Sequence, residues 1–171
     1  MYYPSLCTGS SVNLEKVAPE EDVAIFLHIN NNMSAEKIPG KWQMTSSDNF
    51  DAFMAAVGVG YLTRKLGNAS KPLVTIDQDG PQDFTLKQES LVKTSSISFK
   101  LDKPFDEVTA DGREVKSVMT LERPNVLVHK MQGTNGGKDS ICWREFFDDK
   151  MKCTCQVDDI STVRMYDRVK P

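Results

Sequence analysis

A short alternating strand that runs directly into an amphipathic helix limits the fold of this chain more than any other feature. Over residues 41–47, Trp42 and Met44 fall on one side of the strand. Phe50, Phe53, Met54 and Val57 then recur at i, i+3, i+4 and i+7, the period of a helix with one apolar face. Gly58 is placed as the C′ residue that ends it. A second short helix follows, with Val59, Leu62 and Leu66 at helical spacing, and it stops at Gly67-Asn68 and Pro72. A first strand followed at once by a helix–turn–helix cap suits a small barrel with one mouth covered but able to open.

Beyond Pro72 the period changes from helical to two. Candidate strands are 73–78, 83–89, 92–100, 105–109, 114–121, 125–131, 139–146, 150–157 and 160–168. Turn-forming runs separate them, among them Asp-Gln-Asp-Gly, Ala-Asp-Gly, Arg-Pro-Asn and Thr-Asn-Gly-Gly. With the first strand the count is ten, and short strands at this spacing predict an all-β, up-and-down antiparallel barrel or sandwich.

Charge excludes one large class of partner. Residues 1–32 hold Lys16 against Glu15, Glu20, Glu21 and Asp22, which accounts for the whole net charge of −3. Residues 33–171 therefore carry 20 basic and 20 acidic side chains. Nucleic-acid binding needs clustered Lys and Arg, so no such partner is expected. No apolar run approaches the roughly 20 residues that cross a bilayer. The first 32 residues differ in character from the rest and read as a disordered extension, leaving 33–171 as the barrel domain.

The four cysteines are Cys7, Cys142, Cys153 and Cys155. Cys153 and Cys155 lie side by side on one strand, a poor arrangement for bridging each other. No basic n-region precedes the apolar Val23–Leu27. These features predict a reduced, cytoplasmic chain, expected to be monomeric. A zinc site from Cys142, Cys153 and Cys155 would lack a nearby fourth ligand and the usual spacing, so no metal or other cofactor is expected.

Chemistry concentrates near the C-terminus. In Val163-Arg164-Met165-Tyr166, Arg164 and Tyr166 share a strand face, and Arg144 lies on an earlier strand. Alternation alone directs these polar side chains toward water. Gly58-Val59-Gly60 begins like a dinucleotide loop, but it lacks the third glycine and follows a helix. His129 is the one histidine of residues 33–171, with no nucleophile motif nearby, so no enzyme is expected.

The run 40–57, together with Thr63-Arg64-Lys65, Ile97-Ser98-Phe99-Lys100-Leu101, Phe105-Asp106-Glu107 and Thr109-Ala110-Asp111-Gly112-Arg113, closely resembles the intracellular fatty-acid-binding protein family. The likeness extends from about Gly40 to Val169. It implies a ten-stranded barrel of two nearly orthogonal sheets capped by a lid at 50–67. It also reverses the reading of the arginines. Arg164 and Tyr166 in the last strand, and Arg144 in Arg144-Glu145-Phe146-Phe147-Asp148, match residues that hold a ligand carboxylate inside such barrels. Phe50, Phe53, Met54, Val92 and Asp111 would lie near the ligand's route, and Cys153 and Cys155 would stand among apolar cavity residues.

The implied function is a carrier of long-chain fatty acids. A carboxylate meets buried guanidinium charge through bidentate, charge-assisted hydrogen bonds, and a Tyr hydroxyl adds a directional donor. The acyl tail contributes about 0.8 kcal/mol per buried CH₂ as an upper bound. Val92 and the Trp143-Arg144-Glu145 run resemble retinoic-acid binders more closely, which makes a retinoid carrier of the same fold the alternative. Arg64, Lys65 and Lys71 could make transient contact with anionic membranes or simply form a solvated face.

Overall fold

The structure is a computed structural model, and it describes residues 37–91 and 93–170. The extension assigned to 1–32, and Val92, expected near the ligand's route, lie outside the described residues. Ten strands form one antiparallel sheet, each paired with its neighbours in chain order except at the β4/β5 junction: β1 (Gly40–Asp48), β2 (Leu73–Gln78), β3 (Asp83–Glu89), β4 (Thr94–Lys100), β5 (Pro104–Val108), β6 (Glu114–Arg123), β7 (Val126–Gly133), β8 (Ser140–Phe146), β9 (Lys150–Val157) and β10 (Ile160–Arg168). The order is β4-β3-β2-β1-β10-β9-β8-β7-β6-β5, so β1 beside β10 joins the first and last strands into a nearly closed barrel. Hydrogen bonding is continuous from β4 through β1 and β10 to β5. The seam between β4 and β5 is bridged by side chains, with Phe99 and Phe105 stacked at 6.1 Å.

Between β1 and β2 lie α1 (Phe50–Ala56) and α2 (Tyr61–Ala69). Asn49 makes the sharp turn from strand to helix at φ 55, a conformation Asn tolerates better than most residues. Its side-chain amide donates to the Ser161 carbonyl at 2.8 Å, fixing the entry of α1 against β10. Gly58, at φ +91, ends α1 as the sequence predicts. The Gly58 and Val59 amides bond back to Ala55 and Met54, a Schellman closure. Asp51 fastens the two helices, accepting from Asn68 at 2.8 Å and Arg64 at 3.3 Å.

Only α1 is seated on the barrel, burying Phe53 and Met54. The helical spacing of Leu62 and Leu66 does mark a helix, but they are 77% and 55% exposed, and α2 buries nothing. At the opposite end the barrel is solid. Trp42 meets Phe146 edge-on at 5.4 Å, donates its indole N–H to the Ile38 carbonyl at 3.2 Å, and lies under the Arg168 guanidinium at 4.1 Å. Among the described residues, no helix is long and apolar enough to cross a membrane.

Candidate functional site

Period-two geometry sets which side chains enter the barrel. On β10 the inner face carries Thr162, Arg164 and Tyr166; on β9, Met151, Cys153, Cys155 and Val157; on β8, Cys142, Arg144 and Phe146. Arg164 and Tyr166 thus face inward, opposite to what polar-out alternation alone suggests. Here the inner wall borders a cavity whose mostly apolar lining carries a few ionic side chains, so the usual alternation of apolar-in and polar-out is inverted on one short stretch of wall.

A cavity of ≈ 170 Å³ lies between the lid and this wall. Arg144, Arg164 and Tyr166 line it together with Phe50, Phe53, Met54, Asp111, Cys153 and Cys155. A second cavity of ≈ 90 Å³ adjoins it, sharing Phe50, Met54, Asp111 and Arg164. Together they fall short of the roughly 300 Å³ at which small-molecule pockets begin. Lid side chains crowd this space: the Phe50 ring lies on the Arg164 guanidinium at 4.2 Å and stacks on Phe53 at 6.3 Å.

The two inner arginines are incompletely satisfied. Arg164 is 8% exposed and donates from Nη2 toward the Met44 sulfur at 3.0 Å, while its Nε is buried with no partner. Arg144 Nη1 is likewise buried and unpartnered. Burial pushes the Tyr166 phenol up from its ordinary value, against the pull of Arg164 and Arg144, so it keeps its proton as a donor. The ionic side chains lining the cavity are Arg113, Arg144 and Arg164 against Glu107 and Asp111, leaving one positive charge over when His129 is neutral.

Two polar clusters also form, the first set by register between strands. Glu107, Ser117 and His129 form a closed triangle: Ser117 Oγ donates to Glu107 Oε2 at 2.8 Å, and His129 Nε2 lies 3.0 Å from each. Burial holds His129 below its ordinary value, despite the Glu107 hydrogen bond. Burial works to raise Glu107, but hydrogen bonds from His129 and Ser117 and the charge of Arg144 hold it below the usual range. The same imidazole nitrogen meets both partners, so the group lacks the relay geometry of a Ser-His-acid triad, which uses opposite ring nitrogens. Nearby, Asp111 accepts from Arg113 Nε at 2.8 Å and from the Thr109 hydroxyl. The period-two parity of β7, with Leu127, His129 and Met131 inward, was the signal that could have placed His129.

One sequence expectation is overturned. The cysteines do not all stand reduced: Cys142 and Cys155 are joined in a disulfide, and Cys153 remains free. Spacing along one strand disfavours a Cys153–Cys155 bridge but says nothing about the neighbouring strand. There the register sets Cys142 directly opposite Cys155, with Cα atoms 4.0 Å apart.

A nearly closed barrel under a two-helix lid, with uncompensated cationic side chains inside, defines a class of proteins that enclose a small ligand rather than transform one. Residues 39–169 match the Lipocalin / cytosolic fatty-acid binding protein family, and this chain belongs to it. Sodium/calcium exchanger regulatory protein 1 of Doryteuthis pealeii is 40% identical over 135 residues, covering 79% of this chain and 98% of that protein. Human fatty acid-binding protein 9 is 38% identical, covering 78% and 98%. Among solved structures, Schistosoma mansoni fatty acid binding protein in complex with arachidonic acid is 37% identical with a TM-score of 0.76, covering 80% and 99%. The chain is thus a lipid-binding barrel and not an enzyme.

Proposed function

We propose that this protein is a carrier of long-chain fatty acids, holding the ligand carboxylate between Arg144, Arg164 and Tyr166. The observation that carries this reading is the pair of buried, unpartnered guanidinium nitrogens in a cavity whose ionic lining is one positive charge in excess. A single carboxylate would neutralise that excess and satisfy both donors. The fatty-acid-binding names of several relatives, and the arachidonic acid complex of the Schistosoma mansoni protein, support the ligand class. Phe50 must leave Arg164 as the headgroup arrives, so entry proceeds by displacement of the lid side chains.

The test is oleate binding by the delipidated protein. Arg164→Gln removes the fork and should weaken affinity at least about tenfold, the value of one charge-assisted hydrogen bond; unchanged affinity rejects the carboxylate site. Competition with retinoic acid separates the same-fold alternative, since a wide margin in its favour makes the chain a retinoid carrier.

Delivery would involve brief contact with anionic membranes through α2. Its outer surface presents Tyr61, Leu62 and Leu66 beside Arg64 and Lys65, with the exposed Leu91 elsewhere on the chain. Leu62→Glu should slow fatty-acid transfer to anionic vesicles; an unchanged rate removes that role. The reading includes a monomeric, cytoplasmic protein with 33–171 as the carrier domain. Sedimentation, localisation of the tagged chain and limited proteolysis check these points in turn.

A further inference from the structure

We propose that the cavity wall carries a reversible thiol–disulfide site, in which Cys142 and Cys155 exchange with low-molecular-weight thiols that enter through the ligand portal. Three sulfurs are gathered there. Cys142 and Cys155 are bonded across β8 and β9, and the free thiol of Cys153 lies with its Sγ 3.7 Å from that of Cys155. Cationic residues border the patch: Cys153 is in register with Arg144 on one side and Arg164 on the other. Cys142 is in register with His129. The attacking and leaving species in disulfide exchange are thiolates, which the one-positive excess of the cavity's ionic lining favours.

Access is the second element. All three cysteines are buried, yet all three line the cavity beneath the lid, so a reagent reaches them from inside the barrel. Reversibility follows from the ladder. β8 and β9 pair over Ile141 to Phe146 without help from the bond, so opening it leaves the hairpin held by its backbone. Where relatives of this kind reside in a reducing compartment, a disulfide is a switching element more often than a structural one.

The exchange balances in two steps. A thiolate of the small thiol attacks Cys155 Sγ; the Cys142–Cys155 bond breaks, its electron pair leaves on Cys142 sulfur, and that sulfur takes a proton. A second small thiolate attacks its own kind in the mixed disulfide, releasing Cys155 as a thiol and forming the small-molecule disulfide. The protein gains two electrons and two protons, and two small thiols are oxidised to one disulfide. Cys153 stays reduced throughout, since neighbours two apart on one strand bridge poorly.

The test uses the delipidated full chain equilibrated with mixtures of 2-mercaptoethanol and its disulfide, trapped with maleimide and mapped by peptide mass. Label should appear on Cys142 and Cys155 together as the mixture becomes reducing, while Cys153 is labelled in every mixture once the chain is unfolded. Cys142→Ser should leave Cys155 labelled throughout. At an oleate concentration 100-fold above its dissociation constant, reduction should slow about a hundredfold, in proportion to the vacant fraction. Labelling of Cys142 and Cys155 that ignores the mixture overturns the proposal, and so does equally fast reduction of protein shown by direct titration to hold oleate. If oleate does not bind at all, the carrier reading falls, and the labelling series alone decides the exchange site.

Discussion

Replacing Arg164 by methionine should move stability and affinity in opposite directions. In the ligand-free protein the guanidinium is buried with its Nε unpartnered, and its contacts are the Phe50 ring, the Met44 sulfur and, more distantly at 6.0 Å, the Tyr166 ring. An unsatisfied buried donor costs about 1–3 kcal/mol, and exchange of buried charge for apolar volume is often stabilising by about 1–4 kcal/mol. Against this stands the lost cation–π contact, about 0.5–2 kcal/mol. The delipidated Arg164→Met protein should therefore gain about 1–2 kcal/mol, or about 3–8 °C in Tm at this size. Oleate affinity should fall about tenfold to a hundredfold, as one charge-assisted interaction worth about 1.5–3 kcal/mol disappears. Saturating oleate should erase the stability advantage, because the wild type then gains more from binding. Urea unfolding with and without oleate, together with displacement of a fluorescent fatty acid, reads both effects. A variant that is less stable when delipidated, or that binds oleate as tightly as wild type, refutes the reasoning.

Acidification should destabilise the fold in two stages. His129 is held below its ordinary 6.5, so the unfolded chain takes up a proton the native state refuses; stability is complete above that value and is lost as pH falls toward the folded one. Glu107, held below its ordinary 4.5, adds a further loss on descending through that range. Urea midpoints that stay flat from pH 7 to 4 contradict this, and His129→Gln should flatten the first stage. Phe146→Ala opens a void against Trp42 at the closed end and should cost about 3–5 kcal/mol in unfolding free energy, with oleate binding preserved in the folded fraction. Phe50→Ala removes the ring that covers Arg164, so both association and dissociation of oleate should speed up in stopped-flow traces; unchanged rates would mean the lid opens elsewhere.

Strand and helix periods were legible because burial enforces them residue by residue. Leu73–Gln78, Asp83–Glu89, Lys150–Val157 and Ile160–Arg168 fall where alternation and turn residues place them, and the other strands shift only at their ends. The lid helices were legible from the spacing of Phe50, Phe53 and Met54 and from Gly58. What alternation could not show is which face of a strand meets a hollow interior. Arg164 and Tyr166 look solvated by pattern, and their inward placement was anticipated through family resemblance alone. Cross-strand facts were out of reach for a related reason: the Cys142–Cys155 bond and the Glu107–Ser117–His129 triangle depend on register between strands, which spacing along one strand does not carry.

The carboxyl-carbon resonance of bound [1-¹³C]oleate, followed from pH 8 downward, tests the central claim most directly. A headgroup held by Arg144, Arg164 and Tyr166 stays ionised well below the about 4.3 of an ordinary side-chain carboxyl, so its shift should remain that of a carboxylate until the barrel itself unfolds. A bound resonance that titrates at or above that value would place the headgroup away from the two guanidiniums and contradict the account.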